Sequence, residues 1–150
     1  MKNKTIKGYK TVAVLITNKK RNSFIFQKKD REYWISQLRF KYCFFGGEIE
    51  KGEDEKSALE RELSEELEQD IARIIYEKSK KIFSDNLIDI LGRNCALTLY
   101  ESILPNRTLK KIISTPIKEG EASVLVKRED IPRVPFFPDL KGVLEKYLNL

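Results

Sequence analysis

At 150 residues, 41% of them hydrophobic and 35% charged, the chain has the size and composition of one soluble globular domain spanning 1–150, not of a disordered or fibrous protein. It contains no histidine, which excludes imidazole general bases, Ser-His-Asp triads and histidine zinc sites together. Its net charge of +6 conceals an asymmetry: Glu48 to Asp70 holds eleven acidic residues against three basic ones, leaving +14 for the remainder. That suits a cation site beside a polyanion site, although composition alone favours a solvated acidic helix in a lysine-studded body.

Tyr9 to Thr17 is a β-branched run, Asn18 to Asn22 a polar turn and Ser23 to Lys28 a second strand, so the start reads as a hairpin. Arg39 to Phe45 reads as a further strand closed by Gly46-Gly47. Residues 54–68, rich in Glu, Leu, Lys and Ala, form the one long helical segment. Ala72 to Phe83 and Asn94 to Leu104 read as strands around a loop at Ser84 to Arg93, with weaker strands at Lys110 to Ser114 and Ala122 to Lys127. Ile131 to Pro138 is a proline-punctuated loop, and Asp139 to Leu148 a closing helix with Leu140, Val143, Leu144 and Tyr147 inward. The order of elements suggests an α+β fold, an α/β/α sandwich with a mixed sheet flanked by helices, rather than a regularly alternating βαβ domain.

The two cysteines, Cys43 and Cys95, lie in apolar strand-like stretches and are expected to be buried reduced thiols. The apolar run Val12 to Ile16 is too short to span a bilayer, and no small-residue cleavage site follows it. The expected compartment is the cytoplasm, with no membrane partner.

The helix at 54–68 is the informative feature. At 100° per residue, Glu66 and Glu65 fall at about 40° and −60° from Glu62, while Leu59, Leu63 and Leu67 form a separate apolar stripe. Like charges at these spacings each cost a helix roughly 0.2–0.5 kcal/mol. A cation on that arc would offset the cost. Close carboxylates without histidine or thiolate are hard ligands, suited to Mg²⁺ or Mn²⁺.

The context is more specific still. Gly47, five residues, Glu53, seven residues and then Arg61-Glu62-Leu63-Ser64-Glu65-Glu66 resembles the Nudix box, GX5EX7REUXEEXGU with U apolar. Seven defined positions match across twenty residues. The pattern departs at its end, where Glu68 and Gln69 replace the Gly and the apolar residue, which leaves the helix either to run on or to end with strain. Phe45 replaces the proline often found before the double glycine.

The resemblance implies a pyrophosphohydrolase that cuts a nucleoside diphosphate linked to another moiety, with Mg²⁺ or Mn²⁺ as cofactor. Glu62, Glu65 and Glu66 are then the expected metal ligands, with the Gly46 carbonyl as a further donor. By the same resemblance Glu53 and Arg61 are expected to form an ion pair behind them that orients the ligands. The carboxylate expected to take the proton from water is Glu65, Glu66 or a later loop residue, for which Glu119 and Glu121 are the candidates. Trp34, Arg39, Phe137 and Asp139 are the candidate substrate contacts, aromatics stacking on a base and Asp139 bonding its polar edge. The alternative is a Nudix-fold nucleotide sensor or RNA-binding module; the basic remainder permits nucleic acid, but three mutually repelling glutamates favour catalysis. The expected partner is a nucleotide-like small molecule, and the expected state a monomer or homodimer.

Overall fold

The computed structural model describes residues 8–150. Strands β1 (Tyr9–Thr17) and β2 (Ser23–Lys28) form the expected hairpin, paired at Ile16–Ile25 and Thr17–Phe24. The chain then reaches two short strands, β3 (Tyr42–Cys43) and β4 (Phe45–Glu48). Next come helices α1 (Glu55–Glu66) and α2 (Gln69–Glu77), and the long strands β5 (Ser79–Ile88) and β6 (Asn94–Ile103). Helix α3 (Asn106–Ser114), strand β7 (Ala122–Lys127) and helix α4 (Pro138–Leu148) complete the order.

The seven strands make one sheet, ordered β3-β2-β1-β6-β5, with β4 also on β1 and β7 on β2. β1 and β6 run parallel and the other pairs antiparallel, so the sheet is mixed. Alternation along β1 feeds two cores. Val12, Val14 and Ile16 meet Ala58, Leu59 and Leu63 of α1. Ala13 and Leu15 face the other way and share a core with Val143, Leu144 and Leu148 of α4. The fold is thus α+β, a sheet with helices on both faces. Both cysteines are buried and free. Among the described residues no helix is long and apolar enough to cross a membrane.

Four sequence expectations are corrected. Arg39 to Phe45 is not one strand: it breaks at Phe44, because β3 pairs with β2 and β4 crosses to β1. Ala72 to Phe83 begins as helix, since Ile71, Ala72 and Ile75 bury one face against α1 and the sheet, which overrides their strand preference. The first half of Ser84 to Arg93 is strand and not loop, as β5 runs on to Ile88, while 89–93 form the turn into β6. Lys110 to Ser114 is the second half of α3, anchored by Leu109 and Ile112. The missing glycine after α1 has a simple resolution. The helix stops with Leu67 in extended backbone (φ −127°, ψ 159°), and a new helix restarts at Gln69 without any left-handed residue.

Candidate active site

Helix α1 forms despite its crowded acids. Asp54 caps it by accepting the Ser57 N–H at 2.7 Å. Leu59 and Leu63 are fully buried, each stabilising by roughly 1.5–3 kcal/mol, well above the repulsion of any one carboxylate pair. Arg61 neutralises part of the charge. Its Nε and Nη2 fork onto Glu53 at 2.7 and 2.9 Å, Nη2 also donates to the Glu48 carbonyl at 2.9 Å, and Nη1 donates to Glu62 at 2.9 Å. This clamp ties the 49–54 loop to the helix. The Arg61 hydrogen bonds, helped by the Glu50–Glu53 turn, lower the Glu53 carboxyl to about 2.

Glu66 lies deepest, 2% exposed. Its Oε1 accepts the Gly46 N–H at 2.8 Å and its Oε2 accepts Gln27 Nε2 at 2.9 Å. Burial pushes its carboxyl up to about 8, against the pull of the Lys29 charge and the Gly46 N–H. Glu62 is also raised by burial, opposed by Arg61. The double glycine is required here. A Cβ on Gly46, at φ +142°, would sit 2.1 Å from the Val12 carbonyl oxygen, and one on Gly47 would sit 2.4 Å from the Glu62 carboxyl carbon.

Glu62, Glu66 and Glu119 line one cavity of about 490 Å³ together with Lys29. The Glu119 charge raises both Glu62 and Glu66, which places the three carboxylates in mutual electrostatic reach. Glu65 does not line this cavity. Its side chain is 54% exposed and rests against Arg61 at 3.4 Å. Among the described residues no three carboxylates converge into a ready-made cage. The donors present are all oxygens, with Glu66 buried beside them, and that set fits a hard divalent cation.

A second cavity of about 310 Å³ shares Lys29, Tyr33, Trp34, Gly46 and Gly47 with the first. Trp34, Phe137 and Asp139 meet there, as does Arg93, whose guanidinium lies 4.6 Å from the Tyr9 ring centroid and 5.8 Å from that of Trp34. Burial raises the Asp139 carboxyl. Arg39 is not brought to this place. It is exposed and donates its Nε to the Tyr33 carbonyl at 2.8 Å, because the 36–38 turn swings its side chain back over its own loop.

Sequence reasoning missed Gln27, Lys29, Tyr9 and Arg93. Gln27 had one signal: a polar residue at the end of the buried run Phe24-Ile25-Phe26, itself fully buried. Arg93 and Tyr9 had none, since β1 and the β5–β6 turn meet only through the parallel β1–β6 pairing.

The model of the NUDIX domain family matches residues 9–92, more than half of the chain and the whole loop–helix unit just described. The chain belongs to the Nudix family. It is a Nudix hydrolase, and its bond class is the phosphoric anhydride. No curated protein matches the chain significantly in sequence. Among solved structures it resembles a MutT protein of Methanosarcina mazei Go1, at 14% identity and TM-score 0.67 over 95% of this chain and 94% of that one. It resembles the E. coli ORF135 protein at 21% identity and TM-score 0.67, covering 97% and 91%. It also resembles a C. elegans Ap4A hydrolase, at 16% identity and TM-score 0.63, covering 94% and 96%. At these identities the likeness is one of fold.

Proposed function

We propose that this Nudix hydrolase cleaves a nucleotide in which a nucleoside diphosphate is linked to a further group, with a divalent cation such as Mg²⁺ or Mn²⁺. One observation carries the reading: an acidic cavity and an aromatic cavity share a wall. The phosphates then lie in the cavity of Glu62, Glu66 and Lys29, and the base lies against Trp34 and Phe137 with Asp139 at its polar edge. Glu62, Glu65 and Glu66, with the Gly46 carbonyl, would hold the cation, Glu65 by swinging away from Arg61. When bound, the cation supplies positive charge to the non-bridging phosphate oxygens and acidifies a water.

The chain's own residues do the rest. Lys29 adds a fixed charge beside the phosphates: burial works against its ammonium, but Cys43, Glu66, Tyr33 and Glu119 outweigh that and raise it. Glu119 accepts the proton from the attacking water. It is the one candidate that lines the cavity with no side-chain hydrogen bond among those observed, whereas Glu65 is held by Arg61 and each Glu66 oxygen already accepts a hydrogen bond, leaving its remaining lone pairs to the cation. The Arg61–Glu53 clamp keeps the glycine loop and α1 in register while this happens.

The test is a turnover screen with Mg²⁺ or Mn²⁺ over nucleotide sugars, dinucleoside polyphosphates, ADP-ribose, canonical and oxidised nucleoside triphosphates and capped RNA. Cation-dependent release of phosphate or nucleotide from at least one is expected, and chelation stops it. Nucleotide binding without turnover of any substrate would overturn the hydrolytic reading in favour of a sensor.

A further inference from the structure

The loop between α3 and β7 carries Glu119 and lies outside the Nudix box in sequence. Four hydrogen bonds hold it, beside an ion pair between Lys28 Nζ and the Glu121 carboxylate at 3.5 Å. The Lys118 N–H donates to the Glu66 carbonyl at 2.8 Å, and Lys118 Nζ donates to the Ser64 carbonyl at 3.3 Å. The Glu121 N–H donates to the Lys28 carbonyl at 2.8 Å. The fourth contact is the buried one. Gln27 Nε2 donates to the Glu119 carbonyl at 2.8 Å and, through its other hydrogen, to Glu66 Oε2 at 2.9 Å, while Cys43 Sγ donates to Gln27 Oε1 at 3.5 Å.

A primary amide has two donor hydrogens, and both are committed here, one to each side of the cavity. Gln27 is fully buried and Glu66 nearly so, so Glu66 Oε2 loses a buried donor if the amide is removed. Gly120 closes around it. At φ +95°, a Cβ there would lie 3.1 Å from Gln27 Cγ and 3.1 Å from the Lys28 carbonyl oxygen. Only a glycine lets the loop settle onto the amide in this way.

We propose that Gln27 is a positioning residue, a buried amide strap that sets the Glu119 loop at a fixed distance from Glu66. It touches no substrate and acts through the two carboxylate-bearing segments it joins. The proposal rests on the hydrolase reading above for its kinetic consequence, but not for the strap itself.

The experiment therefore has two arms. In the cation-free, substrate-free protein, amide hydrogen exchange is measured in wild type, Gln27→Leu and Gly120→Ala. Exchange at Lys118 and Glu121 is expected to rise roughly tenfold in both variants, with β1, β6 and α4 unchanged. With the best substrate from the screen, Gln27→Leu is expected to lower kcat roughly tenfold to a hundredfold with KM nearly constant. In a Glu119→Ala background the same substitution is expected to cost much less, since the group it positions is gone. Unchanged loop exchange in both variants would overturn the strap. Fully additive losses of kcat would overturn its action through Glu119. Should Gln27→Leu not fold, Gly120→Ala, which presses on the amide from the loop side, carries both arms alone. A wild-type protein that turns over nothing overturns the hydrolase reading, while the exchange arm still decides the strap.

Discussion

Glu53 and Glu66 flank one loop–helix unit, and their surroundings treat them in opposite ways. Glu53 sits at the surface in a fork from Arg61, which holds its carboxyl near 2. Glu66 is buried against β2 and β4 with a backbone N–H and an amide for company, and burial pushes it to about 8. The difference separates a clamp from a reactive group. A carboxylate with both oxygens held in a guanidinium fork has little to offer a cation, whereas one buried with neutral donors gains from any positive charge that arrives.

The largest effect should come from the buried member. Glu66→Gln is expected to cut kcat by roughly a thousandfold, with Glu53→Gln costing far less; equal losses in steady-state assays would break the comparison. Stability should sharpen it through pH. Glu66 binds its proton more tightly when folded, so its contribution is complete below about pH 4.5 and is lost as pH rises through about 8. Glu53 behaves in reverse, contributing fully above about pH 4.5 and losing that as pH falls through about 2. The urea midpoint of the cation-free protein should therefore decline from about pH 5 to about pH 8, a decline that Glu66→Gln removes and that saturating Mg²⁺ reverses.

Arg61→Ala comes next. It frees the 49–54 loop and leaves Glu62 unsupported, so Mn²⁺ affinity by calorimetry should fall roughly tenfold to a hundredfold. Arg61→Lys should recover little, because an ammonium cannot span both Glu53 oxygens and the Glu48 carbonyl. Smaller again is Trp34→Ala, expected to raise KM roughly tenfold for a nucleotide substrate with kcat nearly unchanged. Arg39→Ala should change neither constant measurably, since its side chain stays on its own loop.

Much of this is legible in the amino-acid sequence. The β1–β2 hairpin, α1 and α4 carry strong periodicity or turn chemistry, and Gly47, Glu53, Arg61 and the glutamates of α1 have a spacing that few other folds use. The elements misread were those decided by distant packing. Ile71, Ile74 and Ile75 favour strand locally, and only docking on α1 and the sheet makes them helix. The site divided in the same way. Glu62 and Glu66 follow from helical geometry, but Glu65 depends on the direction Arg61 pulls it. Gln27 and Glu119 meet only because β7 pairs along the whole of β2, a contact between residues far apart in sequence.

The abrupt end of α1 carries one last consequence. Its final turn holds Glu65 and Glu66, has no basic residue, and stops at Leu67. The aligned peptide dipoles of a helix leave about half a negative charge at that end, so side chains and backbone add there instead of cancelling. A cation drawn to Glu66 thus also answers the helix dipole, and the last turn of α1 should be firmer with the ion bound than without it.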